Sequence, residues 1–245
     1  MRIEFKNEES QKMVGILNRK GRNIAILVHA FLSEKTARGK YTMLAEELGK
    51  HNISTFLFDF TGYGESADNE INVAQQHKEL KTVVNLILEK GFQKIALVGS
   101  SLGGLISFQM RDPHIKTMVL WAPVSSSAEY EKEDKLSKEQ MEELSNKGYV
   151  TLTVPGIDKK YKVSKQFYSE RASISQKELL KDLKIPIFII HGDADELVPL
   201  QNSQDAMKLL SKESKLLIIP KLRHSFGPIA ERAVKETTEW IVEHL

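Results

Sequence analysis

Hydrophobic and polar positions along this chain follow two alternating periods. Residues 23–28 (NIAILV), 54–58 (STFLF), 94–98 (KIALV), 117–121 (TMVLW), 186–190 (PIFII) and 215–219 (KLLII) are short, nearly unbroken apolar runs. Strands buried on both faces read this way. Ahead of them, residues 2–6 and 12–17 alternate more, as an antiparallel edge pair would. Between the runs, residues 41–50, 72–90, 102–110, 201–210 and 229–244 place apolar side chains three and four apart, the period of a helix packed by one face. Within 72–90 the stripe is Val73, Leu80, Val83, Val84, Ile87 and Leu88, with charge opposite. Such alternation predicts an α/β fold, a mostly parallel central sheet flanked by crossover helices.

The alternation breaks between residues 124 and 182. Residues 129–147 carry 11 charged side chains in 19, with Leu136, Met141 and Leu144 as a thin apolar stripe, the pattern of a largely solvated helix. Residues 149–154 (YVTLTV) and 159–163 (KKYKV) flank the turn-forming Pro155-Gly156-Ile157-Asp158 and predict a β-hairpin, and 166–172 predict a short helix. A helix and hairpin cannot extend a parallel sheet. The expected organisation is therefore a core of residues 1–123 and 183–245, with 124–182 inserted as a cap over the strand ends. Its aromatic residues, Tyr130, Tyr149, Tyr161, Phe167 and Tyr168, are candidates to line a pocket.

Directly after the 94–98 run stands Gly99-Ser100-Ser101-Leu102-Gly103, followed by Gly104 and a helical segment. This is G-x-S-x-G in the setting the chemistry requires: a serine on a tight strand-to-helix turn, with glycines two residues either side for close packing. On the order of one unrelated chain in ten contains that pentapeptide at average residue usage, so alone it decides little. Two further loops change the weight. After 186–190 comes His191-Gly192-Asp193-Ala194-Asp195-Glu196-Leu197-Val198-Pro199, and after 215–219 comes Leu222-Arg223-His224-Ser225-Phe226. Each follows the C-terminal end of a strand, where ligands bind in open α/β sheets. Nucleophile, acid and histidine then occur in the order Ser101, Asp195 or Asp193, His224.

At these motifs the sequence resembles the α/β-hydrolases of the serine-aminopeptidase-like and cinnamoyl or feruloyl esterase group, over most of its length. The group's H-G-x-x-D-x-x-V-P falls on His191, Gly192, Asp195, Val198 and Pro199, which implies Asp195 as the acid. Its D-x-x-G-x-G-x-S falls on Asp59, Gly62, Gly64 and Ser66. The resemblance implies an α/β-hydrolase fold with a helix and hairpin cap, and a serine hydrolase with Ser101 as nucleophile, His224 as base and Asp195 orienting the histidine. One motif departs. The group has His-Gly before its oxyanion-hole residue, whereas this chain has His29-Ala30-Phe31-Leu32. The implied oxyanion hole is the backbone N–H pair of Phe31 and Leu102, provided that Ala30 takes a conformation glycine reaches more freely.

Composition narrows the partners. Thirty-five Lys and Arg against 33 Asp and Glu give a net charge of +2, too balanced to suggest nucleic acid or an anionic membrane. The absence of cysteine removes disulfides, thiolate metal sites and a cysteine nucleophile, and no histidine pair has metal-binding spacing, so neither metal nor cofactor is expected. No apolar run approaches a membrane span and the first ten residues lack a signal-peptide core, so a cytoplasmic protein acting on a small molecule is expected. Among seven histidines, His51, His77, His114 and His244 stand beside no motif, and His29 and His191 end strands, where local backbone bonding is the plain reading. The expected reaction is hydrolysis of a carboxylic ester with a small to medium or aromatic, hydroxycinnamoyl-like acyl group. Thioesterase, amidase or aminopeptidase and acyltransferase activity share the same residues, and a catalytically inactive binding protein is the rival of another class. Serine at position 101 argues against dehalogenases and epoxide hydrolases of this fold, which by resemblance use aspartate there.

Overall fold

In the computed structural model, which describes residues 1–127, 136–227 and 230–245, the chain opens with β1 (Arg2–Lys6), β2 (Lys12–Asn18), β3 (Asn23–Val28), α1 (Lys40–Lys50) and β4 (Ser54–Asp59). It continues with β5 (Glu70–Ile71), α2 (Val73–Glu89), β6 (Lys94–Ser100), α3 (Leu102–Phe108) and β7 (Ile115–Trp121). The stretch expected to be inserted holds α4 (Lys138–Lys147), β8 (Tyr149–Val154), β9 (Ile157–Ser164), α5 (Lys165–Ala172) and α6 (Gln176–Leu180). Then follow β10 (Ile187–Gly192), α7 (Leu200–Met207), β11 (Lys215–Ile219) and α8 (Ala230–His244).

Among the described residues, eight strands form one sheet in the order β1-β2-β4-β3-β6-β7-β10-β11. β2 pairs antiparallel with both β1 and β4, and the remaining neighbours are parallel. Five of the six apolar runs read as doubly buried because they are, whereas 215–219 forms the edge strand β11, where Ile218 is exposed and Leu216 and Leu217 are only partly covered. Ile24, Ile26 and Val28 of β3 join the core layer under α2 and α3, while Ala25 and Leu27 join the opposite layer under α1 and α8. Period two thus sends alternate side chains into two dry layers. The sheet grows from β3 towards β4 on one side and towards β6 on the other, so the chain leaves these adjacent strands in opposite directions. Their C-terminal ends bound the crevice of a topological switch point.

The stretch expected to be inserted departs from its reading in detail. α4 starts at Lys138 because Ser137 caps it, its hydroxyl accepting from Gln140 N while the Gln140 side chain accepts from Ser137 N. Residues 129–135 of the expected helix, and Tyr130 with them, lie outside the described residues. The hairpin turn is tighter than the sequence suggests. Val154 pairs with Ile157, leaving Pro155 and Gly156 as a two-residue loop with Gly156 at φ 79°. β9 also pairs in parallel with β5, through Glu70 with Lys162 and Ile71 with Val163, so a second sheet, β5-β9-β8, joins this stretch to the segment before α2. Among the described residues no helix is long and apolar enough to cross a membrane.

Candidate active site

Ser101 stands between the last residue of β6 and the first of α3, at φ 52° and ψ −114°. A non-glycine residue held there carries strain of about 1–3 kcal/mol, which the surroundings must over-determine. They do so through backbone bonds: Ser101 N donates to Trp121 O at 2.9 Å, and Ser101 O accepts from Gly104 N at 3.0 Å and Val124 N at 3.1 Å. The glycines serve the same turn by close approach. A Cβ on Gly103 would run into Val28 O and His29 O, and one on Gly104 would lie 2.6 Å from Pro123 Cβ. The start of α3 therefore rests directly on the end of β3, across the switch point.

Two other loops reach this serine. His224 Nε2 lies 3.0 Å from Ser101 Oγ, and its Nδ1 lies 2.8 Å and 3.0 Å from the two Asp195 oxygens. An ionised carboxylate only accepts, so Nδ1 carries the imidazole proton and Nε2 is free to accept from the serine hydroxyl. Asp195 is nearly sealed from solvent, its side chain 1% exposed. Its Oδ1 also accepts from Leu197 N and Val198 N at 2.9 and 2.8 Å, and Oδ2 lies 3.2 Å from His191 Nε2. Burial by itself would raise this carboxyl. The hydrogen bonds from His191 and His224, with the Val198 N–H, outweigh burial and hold it well below the usual carboxylate range. Asp193 is exposed and instead accepts from Lys221 N, where it closes the turn after β11. Of the two aspartates, the structure brings Asp195 to the histidine. The His224 loop is itself anchored two residues on, where the buried Phe226 ring stacks on Trp121 at 5.4 Å and 13°.

The two backbone N–H groups expected to face an oxyanion are available. Leu102 is the first residue of α3, so its N–H has no intrahelical acceptor. Among the described residues, no N–H of residues 30–34 donates a well-formed hydrogen bond. Ala30 keeps a negative φ, and the left-handed residue in this loop is Leu32, at φ 51°. The glycine of the related motif is therefore not needed at position 30 for its conformation. A serine hydroxyl facing an imidazole, with a carboxylate behind the ring and unpaired N–H groups beside it, can donate its proton as it attacks a carbonyl and can stabilise the resulting oxyanion.

A family model described as Hydrolase_4, serine aminopeptidase, S33, matches residues 20–177. The chain belongs to this family. The match covers Phe31, Ser101 and Leu102, and Asp195 and His224 lie beyond it. Among solved structures, Est1E of Butyrivibrio proteoclasticus with ferulic acid bound superimposes with a TM-score of 0.83 at 21% identity, over 99% of this chain and 98% of that one. The α/β hydrolase GrgF of Penicillium sp. sh18 gives a TM-score of 0.80 at 19% identity, over 100% and 98%. At such identities the likeness establishes the α/β-hydrolase fold. By sequence, the uncharacterised protein YfhR of Escherichia coli (strain K12) is 25% identical over 209 residues, 82% of this chain and 63% of that protein. The chain spans 46% to 63% of the length of the first curated relatives it matches.

Other motif residues of this S33-family chain support the loops around Ser101. Asp59, fully buried, accepts from Lys35 N and Lys35 Nζ at 2.7 Å each and from Glu65 N at 3.0 Å, and a Cβ on Gly64 would fall on its carboxylate. Ser66 Oγ donates to Asp59 O and accepts from Val14 N. D-x-x-G-x-G-x-S is here a clamp between the loop after β3 and the loop after β4. His29 accepts from Phe60 N through Nε2, so its Nδ1–H donates to Ala30 O, local bonding of the kind the sequence suggested. His191 does more than that. Its Nε2–H lies 2.9 Å from Val198 O and reaches Asp195, while Nδ1 accepts from Ser203 Oγ at 2.7 Å. Sequence reasoning missed this support of the carboxylate, although the two residues share one motif.

The candidate pocket aromatics separate. Phe167 stacks face to face on Phe31, with centroids 4.9 Å apart and planes at 12°, and Tyr168 meets Phe167 edge-on at 5.6 Å. Tyr161 packs on Tyr63 at 5.6 Å. Tyr149 lies instead under the ammonium groups of Lys147 and Lys162.

Proposed function

We propose that this hydrolase cleaves carboxylic esters of small to medium or aromatic acyl groups through an acyl-enzyme on Ser101. The hydrogen-bonded chain from Ser101 Oγ through His224 to Asp195 carries the proposal. As Oγ attacks the carbonyl carbon, His224 Nε2 takes the hydroxyl proton, and the carbonyl oxygen becomes an oxyanion facing the Phe31 and Leu102 N–H groups. Collapse of this intermediate breaks the bond to the alcohol, which leaves with the proton from His224. Water then attacks the acyl-enzyme, giving its proton to His224. The acid leaves as the proton returns to Ser101 Oγ. Throughout, Asp195 holds the imidazole in the productive tautomer and stabilises its cation. The partner is a small-molecule ester, and the chemistry draws on no cofactor. Residues 124–182 act as a cap that selects the acyl group. The aromatic cluster of Phe31, Phe167 and Tyr168 supports an aromatic or medium-length acyl chain, and the ferulic acid bound to a neighbour of the same fold is consistent with it.

Labelling by a fluorophosphonate probe, together with hydrolysis of p-nitrophenyl esters of increasing acyl length beside hydroxycinnamate esters, thioesters and amides, tests the proposal. Ser101→Ala is expected to abolish labelling and to lower kcat by up to about six orders of magnitude, with the fold intact. Ser100→Ala is expected to keep both. Labelling that persists in Ser101→Ala and disappears in Ser100→Ala would overturn the assignment.

A further inference from the structure

The loop after β3 is fixed at its two ends. His29 is bound to Phe60 N, and Lys35 is clamped by the buried Asp59 carboxylate through both its N–H and its ammonium group. Between them residues 30–34 donate no well-formed backbone hydrogen bond among the described residues, and the peptide that carries the Phe31 N–H is held from one side only, through Ala30 O, which accepts from His29 Nδ1 at 2.9 Å. The other hold on residue 31 is its ring, stacked on Phe167 of α5 at 4.9 Å.

α5 is a stiff platform for that stack. Ser164 Oγ accepts from Phe167 N at 3.2 Å and donates to Ile71 O at 3.1 Å, tying the helix start to β5. Glu170 caps the start of α2, accepting from Val73 N at 2.7 Å. Arg171, buried, donates to Ser126 O at 3.2 Å, and Tyr168 braces the far side of the Phe167 ring. The helix is thus joined at several points to the same body that carries Ser101.

We propose that Phe167 is a positioning residue for the oxyanion hole, acting through Phe31: the cap sets the rate of bond cleavage as well as the choice of acyl group. The inference rests on Ser101 as nucleophile and the Phe31 N–H as oxyanion donor. A side chain that only lined the acyl pocket would act on KM and on the ranking among esters. One that positions the oxyanion donor acts on kcat for every ester, including one whose acyl group is too short to touch it.

Steady-state kinetics on p-nitrophenyl acetate and on a longer or aromatic ester read the difference. A displacement of about 1 Å at a transition-state contact costs up to about a hundredfold, so Phe167→Ala is expected to lower kcat on the acetate ester by about ten- to a hundredfold. KM is expected to stay within about threefold on the same reasoning. Phe167→Tyr, which keeps the stack, is expected to restore most of the rate. Phe31→Ala removes the same stack from the other side while leaving the N–H in place, and its partly buried ring makes it the variant to use if Phe167→Ala does not fold. The double variant is expected to be no slower than the slower single one, because both lose one interaction. An acetate kcat within twofold of wild type in either single variant, or losses that multiply in the double variant, would overturn the proposal. Ser101→Ala measured alongside separates the two failures: activity surviving in that variant sinks the nucleophile assignment, whereas activity lost there and unchanged in the stack variants sinks only the role of Phe167.

Discussion

Asp193 and Asp195 are the same side chain two positions apart, and their surroundings assign them different work. The Asp195 carboxylate takes two backbone N–H groups on one oxygen and two imidazoles around the other, in a place closed to solvent. An amide at this position would offer its NH2 to a ring nitrogen that is itself a donor, favouring the unproductive tautomer of His224. Asp195→Asn is expected to lower kcat by about 10⁴-fold, the loss that the equivalent change causes in a serine protease triad, and Asp193→Asn by less than about tenfold. The reverse result would move the acid by two residues. A second measurement follows from the depressed carboxyl. A group whose folded pKa is lowered contributes stability above its unfolded value, near 3.9, and loses that contribution as pH falls through the folded value. Acid unfolding below about pH 4 is therefore expected to be less steep in Asp195→Asn than in wild type. Ser101, Asp195 and His224 were legible in the sequence because each follows a strand and two carry fixed motif spacing. The His191 contact to Asp195 was not, since it depends on how a loop folds back on its own strand. Nor was the shift of the left-handed backbone from position 30 to Leu32, since no residue type there signals it.

At the scale of elements, the candidate site depends on how closely α3 lies against β3, and Gly103 sets that distance. Its missing Cβ leaves room for two carbonyl oxygens, Val28 O and His29 O, which are backbone and cannot swing aside. Gly103→Ala is expected to push α3 off the strand and cost about 1–3 kcal/mol of stability, with loss of activity as Ser101 and Leu102 move. Gly49, inside α1, gives the opposite sign. A Cβ there meets only the Lys20 side chain, at 3.4 Å, so Gly49→Ala is expected to stabilise by about 0.5–1 kcal/mol through helix propensity. Urea denaturation of both variants checks the pair, and a Gly103→Ala protein as stable as wild type would remove the close-packing account of the motif. Strands of the central sheet and the longer helices were legible because five or more residues carry a period. β5 was not: two residues carry none, and Glu70 and Ile71 form a strand only because β9 arrives beside them. The hairpin was found while its turn was set two residues too wide, since Asp158 suits a turn by type and yet extends β9 together with Ile157.

For the molecule as a whole, the question is whether the stretch from 124 to 182 is a separable unit. The sequence suggested so, because charge dominates its start and its period differs from that of the sheet. Packing argues that it folds with the rest. Val150, Tyr161, Val163, Phe167 and Tyr168 are buried in the same apolar layer as Phe58, Phe60 and Tyr63 of the body, as is Leu144 of α4. β9 shares backbone pairing with β5, Lys162 pairs with Asp68, and Glu170 caps α2. Removing the insertion would uncover that layer and free the start of α2, so its stability cannot be held apart from that of the core. Both tryptophans sit on the opposite side of the sheet, Trp121 bonded to Thr237 of α8 and Trp240 within α8 itself. Their fluorescence reports that far layer, while far-UV circular dichroism reports every helix, α4 to α6 included. One cooperative unit predicts that the two signals follow a single urea transition with the same midpoint and slope. A circular dichroism step completed before the fluorescence changes would mean that the insertion melts alone. The cap would then be an appendage on a self-sufficient core, with no rigid α5 to hold Phe31.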